Sequence, residues 1–174
     1  SEVCIHHLTF CDEDYDKFGS KIKWNPAVKT SNDREKLWDA LNNDLIDVVA
    51  TDHAPHTIDE KQNPYTSCPS GGPLVQHSLV SMLEAYHNEK ISLEKIVQKM
   101  CHNPAILFDV EKRGFIREGF YADLVIFDLN SPGKYQKIIY FINVTGHLLK
   151  IRHLNLEYYT HWLTVILFSH MEKL

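Results

Sequence analysis

The sequence lacks an excess of basic residues, closely spaced cysteines and long apolar runs, and each absence excludes a class of function. The formal net charge of the 174 residues is −5, so nothing indicates a nucleic-acid partner. The four cysteines form no Cys-x-x-Cys pair, which favours free thiols in a reducing cytoplasm over a disulfide framework. The apolar stretch 162–168 is far shorter than the roughly 20 residues that a membrane span needs, so no membrane partner is expected.

The N-terminus has neither an initiator methionine nor a signal sequence. Residues 1–5 instead resemble the middle of a strand, and we therefore expect the sequence to be a piece of a longer protein. Charge is also unevenly distributed, with a net charge of −8 over residues 1–133 and +3 over residues 134–174. This contrast indicates that the C-terminal residues differ in character from the rest.

Apolar periodicity in the first half of the chain predicts a strand, a helix and a second strand. A β-prone segment covers residues 3–8, and the run 45–50 is typical of a buried strand. Between them, Asn32 is a candidate helix cap because Glu35 follows three residues later. The apolar positions of this helix share one face and are Leu37, Trp38, Leu41 and Leu45.

The second half of the chain predicts helices and then a short β element. Pro73 suits the first turn of a helix with an apolar stripe at positions 75, 79, 82, 83 and 86. Ser92 is a candidate cap for the next helix, and Asn103 begins a short third one. Residues 124–127 are β-prone. The order strand, helix, strand, helices indicates part of a parallel α/β fold, followed by a small β element.

The most informative motif is Thr51-Asp52-His53-Ala54-Pro55-His56, directly after the second predicted strand. In (β/α)8 barrels, catalytic side chains lie on the loops at the C-terminal ends of strands. In such a loop Asp52 can bind a divalent metal and accept a proton from metal-bound water, and His56 can hydrogen-bond a substrate carboxylate or carbonyl. The alternative is a polar loop in which Asp52 caps local N–H groups, and the motif alone leaves both interpretations open.

Three other features lie near this motif or share its placement. Asn25 follows a turn signal and has the same loop placement as Asp52. His6-His7 is a candidate metal pair, but neighbours on a strand point to opposite faces, so a partly buried structural histidine is favoured. Gly71-Gly72 can bring backbone N–H groups close to a ligand, or can form a tight turn before the next helix.

Together these motifs resemble dihydroorotases, which are cyclic amidases of the amidohydrolase superfamily. The similarity extends from about residue 1 to about residue 130. Its most specific part is the string 48–57, because related hydantoinases and allantoinases usually vary the residues after the Asp-His pair. The other matching segments are residues 2–8, 23–27, 60–61, 69–73, 113–119 and 122–125.

The resemblance implies a zinc-dependent barrel enzyme of pyrimidine biosynthesis that interconverts dihydroorotate and N-carbamoyl-aspartate. The zinc ligands of the family are a His-x-His on the first strand, a Lys or Asp on the fourth, histidines on the fifth and sixth, and an Asp on the eighth. Asp52 corresponds to this last ligand and to the general acid/base, whereas Asn25, His56, Ser70 and Gly71 correspond to substrate-binding residues. We therefore expect Zn²⁺, a small-molecule substrate and a parent enzyme that can form a homo-oligomer.

The resemblance also predicts a domain organisation. Residues 1–110 correspond to the seventh and eighth strands of the TIM (β/α)8 barrel with their helices, and residues 111–131 to part of a small β-sandwich domain. Every zinc ligand except Asp52 would lie outside this sequence, although a catalytic zinc site needs about three protein ligands. We therefore expect a C-terminal fragment that is inactive alone. The alternatives are a non-catalytic dihydroorotase-like subunit, a relic without function, or another cyclic amidase such as allantoinase.

Residues 132–174 form a tail without resemblance to the family. When residues 145–168 are back-translated and read from the third base of each codon, permitted codons give Trp-Ser-Pro-Phe-Glu and later His-Thr-Leu-Val-Asn-Gly. These strings resemble the C-terminal segment of the family, and we therefore hypothesise a frame error near residues 131–145. Sequencing of the transcript tests the hypothesis, because an intact frame with no better alternative would remove it.

Overall fold

A computed structural model describes residues 1–127 and 129, together with the backbone of three strand segments, 140–144, 147–151 and 166–168. Apart from these segments, the predicted tail at 132–174 lies outside the described residues, so the frame-error hypothesis stays a prediction. Within the described residues, no helix is long and apolar enough to cross a membrane.

Short strands and helices alternate through the first hundred residues. Strands β1 (Glu2–Cys4) and β2 (Val48–Ala50) pair in parallel, with Glu2 opposite Val48, Val3 opposite Val49 and Cys4 opposite Ala50. Two antiparallel pairs lie further along the chain. One joins β3 (Leu124–Ile126) to β6 (Ile166–Phe168), and the other joins β4 (Tyr140–Val144) to β5 (His147–Ile151). The bounds are β1 Glu2–Cys4, α1 Ile5–Thr9, α2 Tyr15–Phe18, α3 Ser31–Asn42, β2 Val48–Ala50, α4 Ile58–Lys61, α5 Ser78–His87, α6 Leu93–Val97, α7 Asn103–Leu107, β3 Leu124–Ile126, β4 Tyr140–Val144, β5 His147–Ile151 and β6 Ile166–Phe168.

One apolar core joins the elements of the first hundred residues. Helix α1 packs against both α3 and α5, so the residues around β1 lie between two longer helices. Each element contributes the residues of one face, because the opposite face meets solvent. The buried core includes Val3, Ile5 and Leu8 near β1, Trp38 and Leu41 on α3, Met82 and Leu83 on α5, and Ile96 on α6. The α/β character predicted from the sequence is therefore present.

The prediction of a strand over residues 3–8 is wrong beyond Cys4. The chain turns into helix α1 at Ile5, and the Thr9 hydroxyl donates a hydrogen bond to the Ile5 carbonyl at 2.8 Å. A helical turn buries His6 together with Ile5 and Leu8, a combination that the two-residue alternation of a strand does not allow. His6 and His7 therefore lie on a helix that follows the strand.

The cap of helix α3 lies two residues before the predicted cap at Asn32. Thr30 is the cap, since its hydroxyl accepts from the Asp33 N–H at 3.2 Å and the Asp33 carboxylate accepts from the Thr30 N–H at 3.1 Å. The predicted burial of Trp38 and Leu41 is confirmed. Leu45 lies beyond the end of the helix and is 74% exposed, so its assignment to the buried face is wrong.

The predicted boundaries of the later helices agree better with the structure. The Ser92 hydroxyl accepts from the Lys95 N–H at 3.2 Å and caps α6, and α7 begins at Asn103 as predicted. Helix α5 begins only at Ser78, so the prediction that Pro73 lies in its first turn is wrong. Residues 75–77 form a 3-10 turn before α5, and Val75 is exposed there, outside the predicted stripe. The β-prone run near residue 124 forms β3.

Candidate functional site

The Asp52 loop leaves the C-terminal end of β2 by a sharp change of backbone direction. Asp52 has φ of 45°, in the left-handed region that an aspartate adopts more readily than most residues. Its side chain is exposed. Two residues later the Ala54 N–H donates to the Gly72 carbonyl at 3.2 Å, and His53 forms a parallel bridge with Gly72. The loop is thus held against the 69–73 segment while the Asp52 carboxylate stays open to solvent.

His56 is half-buried and contacts the same segment. Its Nε2–H donates to the Ser70 carbonyl at 2.9 Å, so two of the predicted substrate-binding residues are in direct contact. Helix α4 follows at once, capped by Thr57, whose backbone N–H donates to the Glu60 carboxylate at 2.7 Å. Hydrogen bonds from Thr57 lower the pKa of Glu60 below its ordinary value. The carboxylate of Glu60 lies 3.9 Å from Nδ1 of His56.

Gly71 permits a backbone approach that no other residue allows at that position. Its φ is 122°, and a Cβ added there would lie 2.6 Å from both the Cβ and the carbonyl oxygen of Ala54. Its N–H is directed to the Lys23 carbonyl, to which it donates at 3.0 Å. The exposed Asn25 lies two residues beyond that acceptor and is followed by a cis peptide bond to Pro26.

The five predicted site residues are therefore carried by three segments that contact one another. Residues 23–26 carry Asn25, residues 52–56 carry Asp52 and His56, and residues 69–72 carry Ser70 and Gly71. Hydrogen bonds join the first segment to the third and the second to the third. This convergence of segments that are separated in sequence is the property expected of a loop-built site at one end of parallel strands.

The histidine pair near β1 has a structural role for at least its first member. His6 is 1% exposed and stacks on the Trp24 ring, with centroids 4.4 Å apart. Within the described residues, Nδ1 of His6 and Nε1 of Trp24 are both buried and without a hydrogen-bond partner. His7 donates from Nε2 to the Pro26 carbonyl at 3.0 Å. The prediction of a buried structural histidine is confirmed at His6.

The Cys4 thiol lies at the end of β1 on the side of the Asp52 loop. Burial is the largest cause that raises its pKa to about 11, and the negative charges of Asp52 and Glu2 contribute to the same shift. The thiol is therefore protonated at neutral pH and is a poor nucleophile and a poor metal ligand. All four cysteines are free, as the sequence predicted.

Sequence reasoning gave no role to Lys61, which the structure places between the segment of Asn25 and the segment of Ser70 and Gly71. This lysine is 8% exposed, and its ammonium donates to the carbonyls of Lys23, Pro69 and Gly71 at 3.0–3.2 Å. Burial lowers its pKa. A lysine in a polar loop ordinarily points into solvent, so nothing in its sequence surroundings indicated burial.

The described residues supply too few donors for the zinc that the resemblance implies. Across residues 1–127, no group of three or more His, Cys, Asp or Glu side chains is placed to hold a metal ion. A catalytic zinc takes about three protein ligands. Asp52 can supply one such ligand, but the described residues do not by themselves fit a complete zinc site.

Comparisons with other sequences place the chain near one group of enzymes. The model of the amidohydrolase family matches residues 3–151. The dihydroorotase of Ehrlichia canis (strain Jake) is 41% identical over 129 residues, which cover 74% of this chain and 29% of that protein. The dihydroorotase of Clostridioides difficile (strain 630) is 38% identical over 129 residues, 74% of this chain and 30% of that protein. The chain thus spans less than a third of the length of these curated relatives.

Solved structures of hydantoinases are also similar to this chain, and the chain again covers only part of each. L-hydantoinase (dihydropyrimidinase) from Arthrobacter aurescens matches with a TM-score of 0.73 and 30% identity, over 78% of this chain and 31% of that chain. D-hydantoinase from Bacillus sp. AR9 matches with a TM-score of 0.73 and 27% identity, over 97% of this chain and 38% of that chain. Together with the family match, these neighbours imply a TIM-barrel-type fold of which this chain contains a part.

Proposed function

The chain belongs to the amidohydrolase family, and from this premise we propose that it supplies the C-terminal part of a dihydroorotase-like cyclic amide hydrolase. Strands β1 and β2 correspond to the seventh and eighth strands of the barrel, and residues 111–131 to part of a small β-sandwich domain. The substrate is a small cyclic amide, dihydroorotate, which is opened to N-carbamoyl-aspartate in the cytoplasm. Zn²⁺ is the expected cofactor, with Asp52 as the one ligand from this chain and the others from the residues that the longer relatives contain.

The proposed chemistry uses an exposed carboxylate next to a rigid binding surface. Asp52 accepts a proton from the attacking water and returns it to the ring nitrogen as the amide C–N bond breaks. Asn25 and His56 orient the polar groups of the ring, and the Ser70–Gly71 backbone lies along its edge. Because the described residues do not form a complete metal site, the proposal includes activity only for the assembled barrel and none for this chain alone.

The observation that carries the proposal is the contact between three segments distant in sequence. The Gly71 N–H donates to Lys23, in the segment that carries Asn25, and His56 donates to Ser70, so three of the five predicted residues are joined to one another and to the segment of a fourth. A polar loop with only a local capping role for Asp52 would not require the close approach at Gly71.

A chimaera tests the proposal. The matched 129 residues of the Ehrlichia canis dihydroorotase are replaced by the aligned residues of this chain, and dihydroorotate hydrolysis is measured. We expect turnover by the chimaera, loss of about 100-fold or more with Asp52→Asn, and none by the 174-residue chain alone. Asp59→Asn, an exposed carboxylate seven residues further on, is the matched control and is expected to stay within about twofold of the unaltered chimaera.

Three results would count against the proposal. A folded chimaera without turnover would contradict the assignment of the substrate. Full activity of Asp52→Asn would contradict the acid/base role. Turnover by the isolated chain would contradict the inference that it needs further barrel residues.

A second candidate, a non-catalytic subunit, is favoured by one observation. Around α7 the side chains of Ile106, Leu107 and Phe108 are exposed, at 68%, 55% and 69%, which leaves an apolar surface available for another chain. Stable association of the 174-residue chain with an intact dihydroorotase, without any change in turnover after Asp52→Asn, would support this candidate instead.

A further inference from the structure

Lys61 joins two of the three site segments, the one that carries Asn25 and the one that carries Ser70 and Gly71. Its ammonium has three N–H donors, and the structure pairs each with a backbone carbonyl, those of Lys23, Pro69 and Gly71. The partners lie 38, 8 and 10 residues away in sequence, so these contacts depend on the tertiary fold. Lys61 has no salt bridge within the described residues.

The acceptors of Lys61 coincide with the predicted substrate-binding residues or adjoin them. Lys23 precedes Asn25 by two residues, Pro69 precedes Ser70, and Gly71 is itself one of the predicted residues. The Lys23 carbonyl also accepts the Gly71 N–H, so Lys61 and Gly71 share an acceptor. A displacement of the ammonium would therefore release both sides of the site at once.

The rest of the 62–71 loop is held by a second lysine and by Cys68. The Lys23 ammonium donates to the carbonyls of Tyr65 and Cys68 at 2.6 Å each. The buried thiol of Cys68 lies 3.3 Å from the Pro69 carbonyl, which Lys61 also binds. A loop with little secondary structure is thus ordered by cations that bind its carbonyl oxygens, in addition to its few backbone hydrogen bonds.

We propose that Lys61 is a positioning residue of the site, whose ammonium fixes the Asn25 segment relative to the Ser70–Gly71 backbone that faces the substrate. This inference rests on the proposed function. Lys61 does not touch the substrate, and its effect is on the spacing of groups that do. Since no hydrogen bond or ion pair joins Asp52 to Lys61 within the described part of the chain, loss of the ammonium weakens binding of the cyclic amide and leaves the proton transfer by Asp52 largely intact.

Amide hydrogen exchange of the full 174-residue chain tests the ordering directly. In Lys61→Met the exchange of the Gly71 N–H is expected to accelerate by about tenfold or more, because both the ammonium and the shared acceptor are disturbed. Lys99→Met is the matched control: Lys99 is also buried, but its ammonium donates to the Ile46 carbonyl, away from the three segments. Exchange at Gly71 is expected to be unchanged in this control.

The active chimaera tests the consequence for the site. Lys61→Met is expected to raise KM for dihydroorotate about tenfold or more, with kcat within about threefold, whereas Lys99→Met leaves both within about twofold. An unchanged KM together with faster Gly71 exchange would overturn the positioning role and leave Lys61 with a structural one. A chimaera that is inactive with Lys61 intact would contradict the proposed function, and Gly71 exchange at the wild-type rate in Lys61→Met would overturn this inference separately.

If Lys61→Met does not fold, the same measurements are made on a second variant, Lys61→Arg. The guanidinium keeps the charge, but its rigid planar fork does not match three converging carbonyls. We expect a folded variant with Gly71 exchange and KM each raised about threefold or more. Wild-type values of both in Lys61→Arg would overturn the inference.

Discussion

The buried imidazole of His6 is expected to make this chain more sensitive to acid. Burial lowers its pKa from 6.5 to about 3, and the neighbouring His7 contributes in the same direction. The folded state therefore keeps His6 neutral at a pH where the unfolded chain protonates it. Between about 3 and 6.5 the unfolded state binds more protons, so the free energy of unfolding falls as the pH falls through this window and is unaffected by His6 above it.

The magnitude follows from the two pKa values. The full difference corresponds to about 5 kcal/mol, of which about 2–3 kcal/mol is lost by pH 4.5. In His6→Phe the aromatic ring can still stack on Trp24 but takes up no proton, so this part of the acid sensitivity should disappear. Carboxylates also titrate in acid. Hydrogen bonds from Lys95 and Lys99, for example, lower the pKa of Asp44 to about 2. These carboxylates are the same in the wild type and in His6→Phe, so their effect on stability cancels when the two proteins are compared.

Urea unfolding followed by tryptophan fluorescence at pH 7 and pH 4.5 measures the effect. The loss of stability between the two pH values is expected to be smaller in His6→Phe than in the wild type by about 2–3 kcal/mol. Trp24→Phe is the control, because it alters the same stack but retains His6 and its acid sensitivity. Equal losses in the wild type and His6→Phe would refute the reasoning.

Two further predictions concern stability. Gly71→Ala is expected to cost about 2–6 kcal/mol in thermal or urea unfolding, because it adds a contact with Ala54 at 2.6 Å to an unfavourable positive φ. In Gly119→Ala, where φ is 78° and no atom lies within 4 Å of the new Cβ, we expect only about 1–2 kcal/mol, and equal costs at the two glycines would contradict the steric argument. Thr30→Ala is expected to cost about 1 kcal/mol through loss of the cap of α3, whereas Asn32→Ala should cost less than about 0.5 kcal/mol, and the reverse order would restore Asn32 as the cap.

Local features of the chain can be predicted where they depend only on residues that are close together in sequence. Ser92 and Asn103 begin helices as expected, since a cap or a helix-starting Asn-Pro pair acts on its nearest neighbours. The α3 cap was misplaced by two residues because Thr30 and Asn32 both precede an acidic residue at the capping-box distance. Only the contact between Thr30 and Asp33 distinguishes the two candidates.

In the site, too, the sequence predicts the continuous motifs, whereas the contacts between distant residues depend on the tertiary fold. The motif around Asp52 and the Gly71-Gly72 pair could be identified from the sequence because each is a continuous string. The hydrogen bond between His56 and Ser70 spans 14 residues, and whether these residues meet depends on how the intervening loop folds. The strand predicted over residues 3–8 ends at Cys4, since burial of three of the next four residues favours a helical turn over alternation.

The sequence by itself determined the family, the loop that carries Asp52 and the apolar stripes of the longer helices. Each of these features depends on residues that are adjacent or regularly spaced in the chain. Tertiary structure alone decided that Lys61 is buried and that its ammonium binds carbonyls up to 38 residues away. It also decided that Gly71 lies against Ala54. A lysine or a glycine has the same local signature on a surface as in a packed loop, and only the contacts made by distant parts of the chain separate the two.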